Sequence, residues 1–219
     1  HSVSLQFSRC LRTVFTIQRP ALMKKIDNTI RLSPTDLSNH LGCKHLTELS
    51  RDVVLGKRRK PIFKNLSLEA LKERGIAHEK AYVQHLISQD KVVVELSENA
   101  TVQDTTHHMK AGVDVIVQAA LSDAKWNGRA DLLIKVDTPS PVLGKWSYEV
   151  ADTKLAVDTK AGTILQLSVY SDIVSQIQGT TPEYMYVVKP GQPFEEEQFR
   201  YDDFKAYYRC GYIIMSKKL

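Results

Sequence analysis

Two aspartates and a lysine flank a predicted β-hairpin in positions where they could bind a divalent cation. Two apolar runs predict the strands and a run of turn-forming residues predicts the loop; these are residues 132–136, 146–150 and 137–145. A symmetric hairpin folded at Pro141–Val142 sets Asp131 opposite Asp152 on one face, with Cβ atoms about 5 Å apart. Like charges so placed repel, but a divalent cation between them reverses the sign, because Mg²⁺ binds carboxylate oxygens at about 2.1 Å.

Lys154 joins this pair, because it lies two residues past Asp152 and its side chain is on the same face of the strand. The triplet D-x-K is common by chance, and both acids could instead be solvated strand residues. The opposed Asp131, the apolar flanks and the helix that follows favour the metal site.

A helix after this strand carries a glutamine and a tyrosine that could face the site. Residues 160–177 are apolar on one face, and the pattern ends at Gly179. Gln166 and Tyr170 are four residues apart and therefore lie on one face of the helix. Taken alone, the pair is slightly better explained by Tyr170 in the amphipathic core and Gln166 in solvent.

An upstream helix carries a His–Glu pair. Ser67 can cap a helix over residues 68–89, which includes His78 and Glu79. The zinc-protease pattern H-E-x-x-H is excluded, because Tyr82 stands where the second histidine is required. A lone His–Glu pair is usually a solvated helix face, but beside an Asp…D-x-K site it is a candidate metal ligand or a residue that orients one.

Five motifs in this order give the sequence a specific likeness. They are S-P-x-D-L…C at Ser33–Cys43, G-x-x-H-E at Gly75–Glu79, G-R-A-D at Gly128–Asp131, Y-E-V-x-D-T-K-L-A at Tyr148–Ala156 and L-Q-L-x-x-Y-S at Leu165–Ser171. The chain resembles a RecB-type nuclease of the PD-(D/E)XK superfamily, and the match spans roughly Leu32 to Val188. Any one motif would be weak, whereas five in order are specific.

The resemblance implies an α/β fold with a restriction-endonuclease-like core, in which helices flank a central mixed β-sheet; we expect the site at the sheet edge. It implies a Mg²⁺- or Mn²⁺-dependent deoxyribonuclease, expected to be an exonuclease, that hydrolyses phosphodiester bonds in DNA processing or repair. Lys154 would position or activate the attacking water, and Gln166 and Tyr170 would line the DNA path. The expected metal ligands are His78, Glu79, Asp131, Asp152 and the Thr153 carbonyl.

The alternative function is a non-catalytic module that binds DNA or acts as a scaffold in a helicase–nuclease assembly. The expected partners are DNA, single-stranded or with free ends, and a helicase that is either separate or fused to the chain. No membrane is expected, because no apolar run approaches the ~20 residues of a membrane span. Every catalytic residue type is present, which favours the nuclease.

Cysteines argue against a metal cluster in this chain. Many relatives hold a 4Fe–4S cluster through one early and three late cysteines, and Cys43 occupies the early position. The chain otherwise has only Cys10 and Cys210, whereas four thiolates are needed. We therefore expect no cluster and interpret Cys43 as an ordinary half-buried thiol. Three cysteines without framework spacing fit a reducing compartment, and we expect the cytoplasm.

Composition divides the chain near residue 30. The 30 basic residues include five before Asp27, and the remaining 25 balance the 25 acidic ones, so the body of the protein is neutral. We expect a basic, disordered segment over residues 1–30 and the nuclease domain over 31–219, truncated or shortened at its C-terminal end. Residues 1–22 have the composition of an organellar presequence, but an extended start upstream of Met23 is favoured. The basic run 57–60 either binds phosphate or is a solvated loop.

The remaining pattern predicts the other elements. We expect a helix from residue 33 or 34 to about 52, strands at 92–96, 113–121 and 184–188, a helix near 101–111 and a final helix around 204–208.

Overall fold

A six-stranded mixed β-sheet flanked by helices forms the fold in the computed structural model, which describes residues 23–26, 28–60 and 66–218. The α/β fold class expected from the sequence is therefore confirmed. The elements in chain order are β1 (Lys24–Ile26), β2 (Thr29–Arg31), α1 (Pro34–Gly42), α2 (Lys44–Val54), α3 (Leu66–Ser88), β3 (Val93–Glu95), α4 (Val102–Ala111), β4 (Val115–Ser122), β5 (Asn127–Val136), β6 (Ser147–Thr153), α5 (Ala161–Gln178), β7 (Tyr184–Lys189), β8 (Glu195–Arg200) and α6 (Tyr201–Ser216).

The strands of the large sheet are ordered β3-β4-β5-β6-β7-β8. The β4–β5, β5–β6 and β7–β8 pairs are antiparallel, whereas β3–β4 and β6–β7 are parallel. Helix α5 is the crossover between β6 and its parallel neighbour β7. β5 and β6 are the two central strands, so Asp131 within β5 and Asp152 near the end of β6 lie in mid-sheet and not on the edge strands β3 and β8.

Helices cover both faces of the sheet. On one face, α5 packs on β6 and α1, and its residues Leu167 and Val169 belong to the main core. On the other face, α3 places Tyr82 and Leu86 in a smaller cluster with Leu132 of β5. The middle of β5 and the end of β6 therefore lie between two helices that carry other candidate site residues.

The register of the central hairpin agrees with the sequence prediction. Leu132 pairs with Ala151 and Val136 with Ser147, so the symmetry axis falls at Pro141–Val142. Apolar residues on both strands fix this register, because a slip of one residue would turn every buried side chain to the other face. Asp131 and Asp152 are the next positions beyond the Leu132–Ala151 pair.

The N-terminal helix differs from the prediction, because it is broken in two at Cys43. Cys43 is extended, with φ −158° and ψ 108°, and its N–H donates to the Asn39 carbonyl at the end of α1. The preceding Gly42 weakens helix continuation. Helix α3 begins by Leu66, so Ser67 lies inside it and is not its cap.

Other predicted helix ends are confirmed. Thr101 caps α4 through a reciprocal capping box with Asp104. Helix α5 ends at Gly179, whose φ of +74° is a left-handed conformation that glycine adopts without strain.

Two strand regions were missed from the sequence. The hairpin β1–β2 lies within residues 24–31, so strand structure is present before the expected boundary at residue 30; residues 1–22 lie outside the described part. Strand β8, whose sequence is largely acidic, was not predicted, yet it pairs along the whole of β7. Lys189 forms an ion pair with Glu197 across these strands, with 2.9 Å between Nζ and Oε2, which offsets part of the acidic charge.

Among the helices of the described residues, none combines the length and the apolar character that crossing a membrane requires.

Candidate active site

Two carboxylates meet where β5 and β6 pass between the flanking helices. The backbone N–H of Thr153 donates to Oδ2 of Asp131, with 3.2 Å between the atoms, which ties β5 to the end of β6. Burial and then the charge of Asp152 raise the pKa of Asp131 well above its ordinary value. The hairpin therefore brings Asp131 and Asp152 together as the sequence predicted.

Lys154 approaches Asp152 directly after β6 ends. Its ammonium lies 2.6 Å from Oδ2 of Asp152, and this oxygen is buried. Burial lowers the pKa of Lys154, but the charges of Asp152 and Asp131 outweigh it and raise the pKa overall. Lys154 is therefore held in its charged form at neutral pH.

Glu79 reaches the same group of charges from α3. Its Oε1 accepts a hydrogen bond of 2.8 Å from Nε2 of Gln118 on β4. Burial raises the pKa of Glu79; Gln118 opposes this rise, and the charge of Asp152 adds to it. Three carboxylates from α3, β5 and β6 thus share a partly desolvated volume with one lysine.

His78 is placed beside this group and contacts the backbone of β7. Its Nε2 lies 3.1 Å from the carbonyl oxygen of Val188, and its ring packs against Phe194 with 5.8 Å between the ring centroids. The same carbonyl accepts the backbone N–H of Lys154 at 3.0 Å. The roles predicted for His78 and for the Thr153 carbonyl as metal ligands stay predictions.

Tyr170 lies on α5 against the motif glycine of β5. A Cβ atom built on Gly128 would be 2.6 Å from the Tyr170 hydroxyl, so a larger residue at this position would have to displace the Tyr170 side chain. Burial and then the charge of Asp131 raise the pKa of Tyr170, while a hydrogen bond from the Arg129 backbone opposes this. Gln166 lies half-buried one turn earlier on α5, and no hydrogen bond joins it to the carboxylates within the described residues.

Arg129 forms hydrogen bonds to backbone carbonyls that the sequence did not indicate. Its guanidinium donates to the carbonyls of Gln118, Glu98 and Ala100 at 2.7, 2.5 and 3.0 Å. Burial lowers its pKa. These bonds fix the segment before α4 against β5, so the arginine of the G-R-A-D motif is occupied by the backbone.

Gln118 is the site residue that sequence reasoning missed. It lies within β4 and has a φ of +54°, a left-handed conformation that is rare for a residue other than glycine. The signal in the sequence was a lone polar residue within the apolar run Val115–Leu121.

A divalent cation fits the chemistry of these side chains. The charges of Asp131, Asp152 and Glu79 act on one another and on the charge of Lys154, so three carboxylates surround a single ammonium. Carboxylate oxygens are the ligands that Mg²⁺ and Mn²⁺ prefer. Within residues 23–26, 28–60 and 66–218, no group of three His, Cys, Asp or Glu side chains is arranged to hold a metal ion. The positive charge beside Asp152 comes from the ammonium of Lys154.

No family model and no curated protein matches this chain. What the site does must therefore be argued from the arrangement of its own side chains.

An iron–sulfur cluster does not fit this chain. Such a cluster needs four protein ligands, and the sequence contains three cysteines. Cys43 and Cys210 are both exposed free thiols, and Cys10 lies outside the described residues. The expectation of a half-buried Cys43 is corrected: it lies at the exposed junction of α1 and α2, where the chain turns outward.

Proposed function

We propose that this protein is a Mg²⁺- or Mn²⁺-dependent deoxyribonuclease of the PD-(D/E)XK type. The observation that carries the proposal is the group of Asp131, Asp152 and Glu79 around Lys154, drawn from three elements into one partly buried volume. A purely structural cluster would gain little from three mutually repelling carboxylates, since burial and like charge both penalise them.

Asp131 and Asp152 would hold the cation, with Glu79 as the third carboxylate. When bound, the ion would offset charge on the scissile phosphate and make water a better nucleophile at neutral pH. His78 and the Thr153 carbonyl are proposed as further ligands on the α3 side. The bound ion would stabilise the folded protein, because it would offset the repulsion among the three carboxylates.

Lys154 would stabilise negative charge that develops on the phosphate or orient the attacking water. In the metal-free protein the charges of Asp152 and Asp131 raise the pKa of Lys154, and the charged ammonium would act as a hydrogen-bond donor. Tyr170 likewise keeps its proton, because burial raises its pKa, and would donate from the α5 side. Gln166, one turn away, would line the path of the DNA together with Tyr170.

The substrate is proposed to be DNA, single-stranded or with free ends, cleaved by exonuclease action during DNA processing or repair in the cytoplasm. A helicase, separate or fused, is the proposed partner. The exposed basic run 57–60 after α2 is a candidate contact for the DNA backbone.

The test is degradation of end-labelled single-stranded DNA in Mn²⁺, with Asp152→Asn and Lys154→Ala compared with the parent. Asp152→Asn should abolish cleavage and weaken Mn²⁺ binding in calorimetry. Lys154→Ala should keep metal binding but slow cleavage about 10²–10³-fold, which is typical for loss of one charge-stabilising group.

Matched controls lie in the turn of the same hairpin. Asp137 and Lys145 are exposed, so Asp137→Asn and Lys145→Ala should cleave like the parent. A parent that binds single-stranded DNA but never cleaves it, in either metal, would support the scaffolding module instead. Unchanged Mn²⁺ affinity in Asp152→Asn would overturn the metal assignment.

A further inference from the structure

Gln118 has a strained backbone at the point where β4 passes the carboxylates. Its φ of +54° lies in the left-handed region, although β4 continues on both sides. Such strain persists only where the surrounding structure holds it, and it concentrates at functional sites. The ladder between β4 and β5 also skips this position: Val117 pairs with Leu132 and Ala119 with Ala130, which leaves Gln118 opposite Asp131 outside the regular pairing.

The irregularity changes which side of the sheet the strand faces. Before it, Val115 and Val117 pack in the cluster beneath α3. After it, Ala119 and Leu121 pack in the main core on the other face. Gln118 therefore marks a reversal of the side-chain alternation of β4, which a regular strand would not show.

The side chain and the backbone carbonyl of Gln118 both form hydrogen bonds with residues of the candidate site or next to it. Its side-chain amide donates to Oε1 of Glu79 on α3 at 2.8 Å. Its carbonyl accepts from Nη1 of Arg129, two residues before Asp131, at 2.7 Å. One strained residue thus connects the helix that carries the third carboxylate with the strand that carries the first.

We infer that Gln118 is a positioning residue, which holds the Glu79 carboxylate toward Asp131 and Asp152 at the expense of a strained backbone. The inference rests on the proposed metal-dependent function. Gln118 does not itself contact substrate or metal; it acts through Glu79, as residues that orient metal ligands do. The strain is retained because a relaxed strand would direct this amide elsewhere.

The substitution Gln118→Gly separates a positioning role from a purely structural one, because we expect it to raise thermal stability and to lower Mn²⁺ affinity. Glycine accepts the left-handed backbone without strain but removes the amide. We expect a higher thermal midpoint in EDTA than the parent, together with roughly 10–100-fold weaker Mn²⁺ binding in calorimetry, the usual cost of losing a group that orients a ligand. In cleavage assays, the Mn²⁺ concentration for half-maximal rate should rise similarly, while the KM for DNA stays unchanged.

Gln198→Gly is the matched control, since Gln198 is an exposed strand glutamine on β8. Glycine in an ordinary strand costs stability, so this variant should melt at a lower temperature and bind Mn²⁺ like the parent. Gln118→Glu adds a further comparison: it keeps the length of the side chain but turns the donor into a like charge, and it should weaken Mn²⁺ binding at least as much as Gln118→Gly.

The outcomes distinguish this inference from the proposed function. If the parent binds Mn²⁺ and cleaves DNA while Gln118→Gly binds Mn²⁺ equally well, the positioning role is wrong and the nuclease assignment stands. If the parent binds Mn²⁺ without cleaving and Gln118→Gly loses affinity, the positioning role stands and the nuclease assignment is wrong. A parent without Mn²⁺ affinity overturns both proposals. A Gln118→Gly variant that melts at a lower temperature and binds Mn²⁺ with unchanged affinity overturns the positioning role.

Discussion

Gly128→Ala tests how closely β5 and α5 approach each other at the site. The new Cβ would lie 2.6 Å from the Tyr170 hydroxyl oxygen and 3.1 Å from Cδ of Pro34. The backbone at Gly128 is outside the left-handed region, so the substitution tests space and not backbone strain. Because Tyr170 is packed between α5 and β5, its hydroxyl must move and lose the hydrogen bond from the Arg129 backbone.

The cost follows from the size of this overlap. Adding a methyl group to a close-packed contact costs about 1–3 kcal/mol in the free energy of unfolding. In a domain of this size each kcal/mol lowers the melting temperature by about 2–4 °C. We therefore expect Gly128→Ala to melt about 2–12 °C below the parent in scanning calorimetry.

Gly75→Ala is the matched control, because it makes the same chemical change in an open place. No atom lies within 4 Å of a Cβ at Gly75, which is inside α3. Alanine favours a helix over glycine by about 1 kcal/mol, so this variant should melt about 2–4 °C above the parent.

Tyr170→Phe identifies the cause of the effect. Without the hydroxyl, the nearest atoms to the new Cβ are at 3.1 Å, a contact that small shifts relieve. The double variant should therefore lose less stability than the sum of the two single variants, with a coupling of about 0.5–3 kcal/mol. Additive effects, or a Gly128→Ala protein that melts with the parent, would refute the close approach described here.

Two further substitutions probe the charges of the sheet. Asp131→Asn should raise the melting temperature of the metal-free protein, because it removes a buried charge that Asp152 repels, and should abolish the stabilisation by Mn²⁺ seen in the parent. Asp114 has a pKa below its ordinary value of 3.8, through the side chain of Lys135 and the backbone N–H of Val92, so its contribution to stability is present above that value and lost as the pH falls through the lower folded pKa. Asp114→Asn should therefore be less stable than the parent near pH 7 and approach it below about pH 4 in urea titrations; an unchanged difference across this range would contradict the ion pair.

The central hairpin and the helix α5 could be predicted because their signals are local. Turn formers at the centre of two apolar runs set the Asp131–Asp152 register, and Gly179 set the end of α5. Strand β8 could not be predicted, because its acidic sequence does not favour a strand. Its strand conformation comes from backbone hydrogen bonds to its partner β7.

The strained conformation of Gln118 was also beyond local reasoning. Gln118 is hydrogen-bonded to Glu79, 39 residues earlier in the chain, and to Arg129, 11 residues later. Residue types and spacing indicated the candidate carboxylates and the lysine, but the backbone irregularity at Gln118 arises only where three elements pack together.

The hydrogen bond between His78 and Val188 fixes the tautomer of the histidine. A carbonyl oxygen can only accept, so Nε2 of His78 carries the proton at this 3.1 Å contact. In the neutral ring, Nδ1 is then the nitrogen with a free lone pair. His78 can therefore bind a metal and keep this hydrogen bond only through Nδ1. The Val188 carbonyl of β7 thus determines which ring nitrogen of His78 is available to a metal.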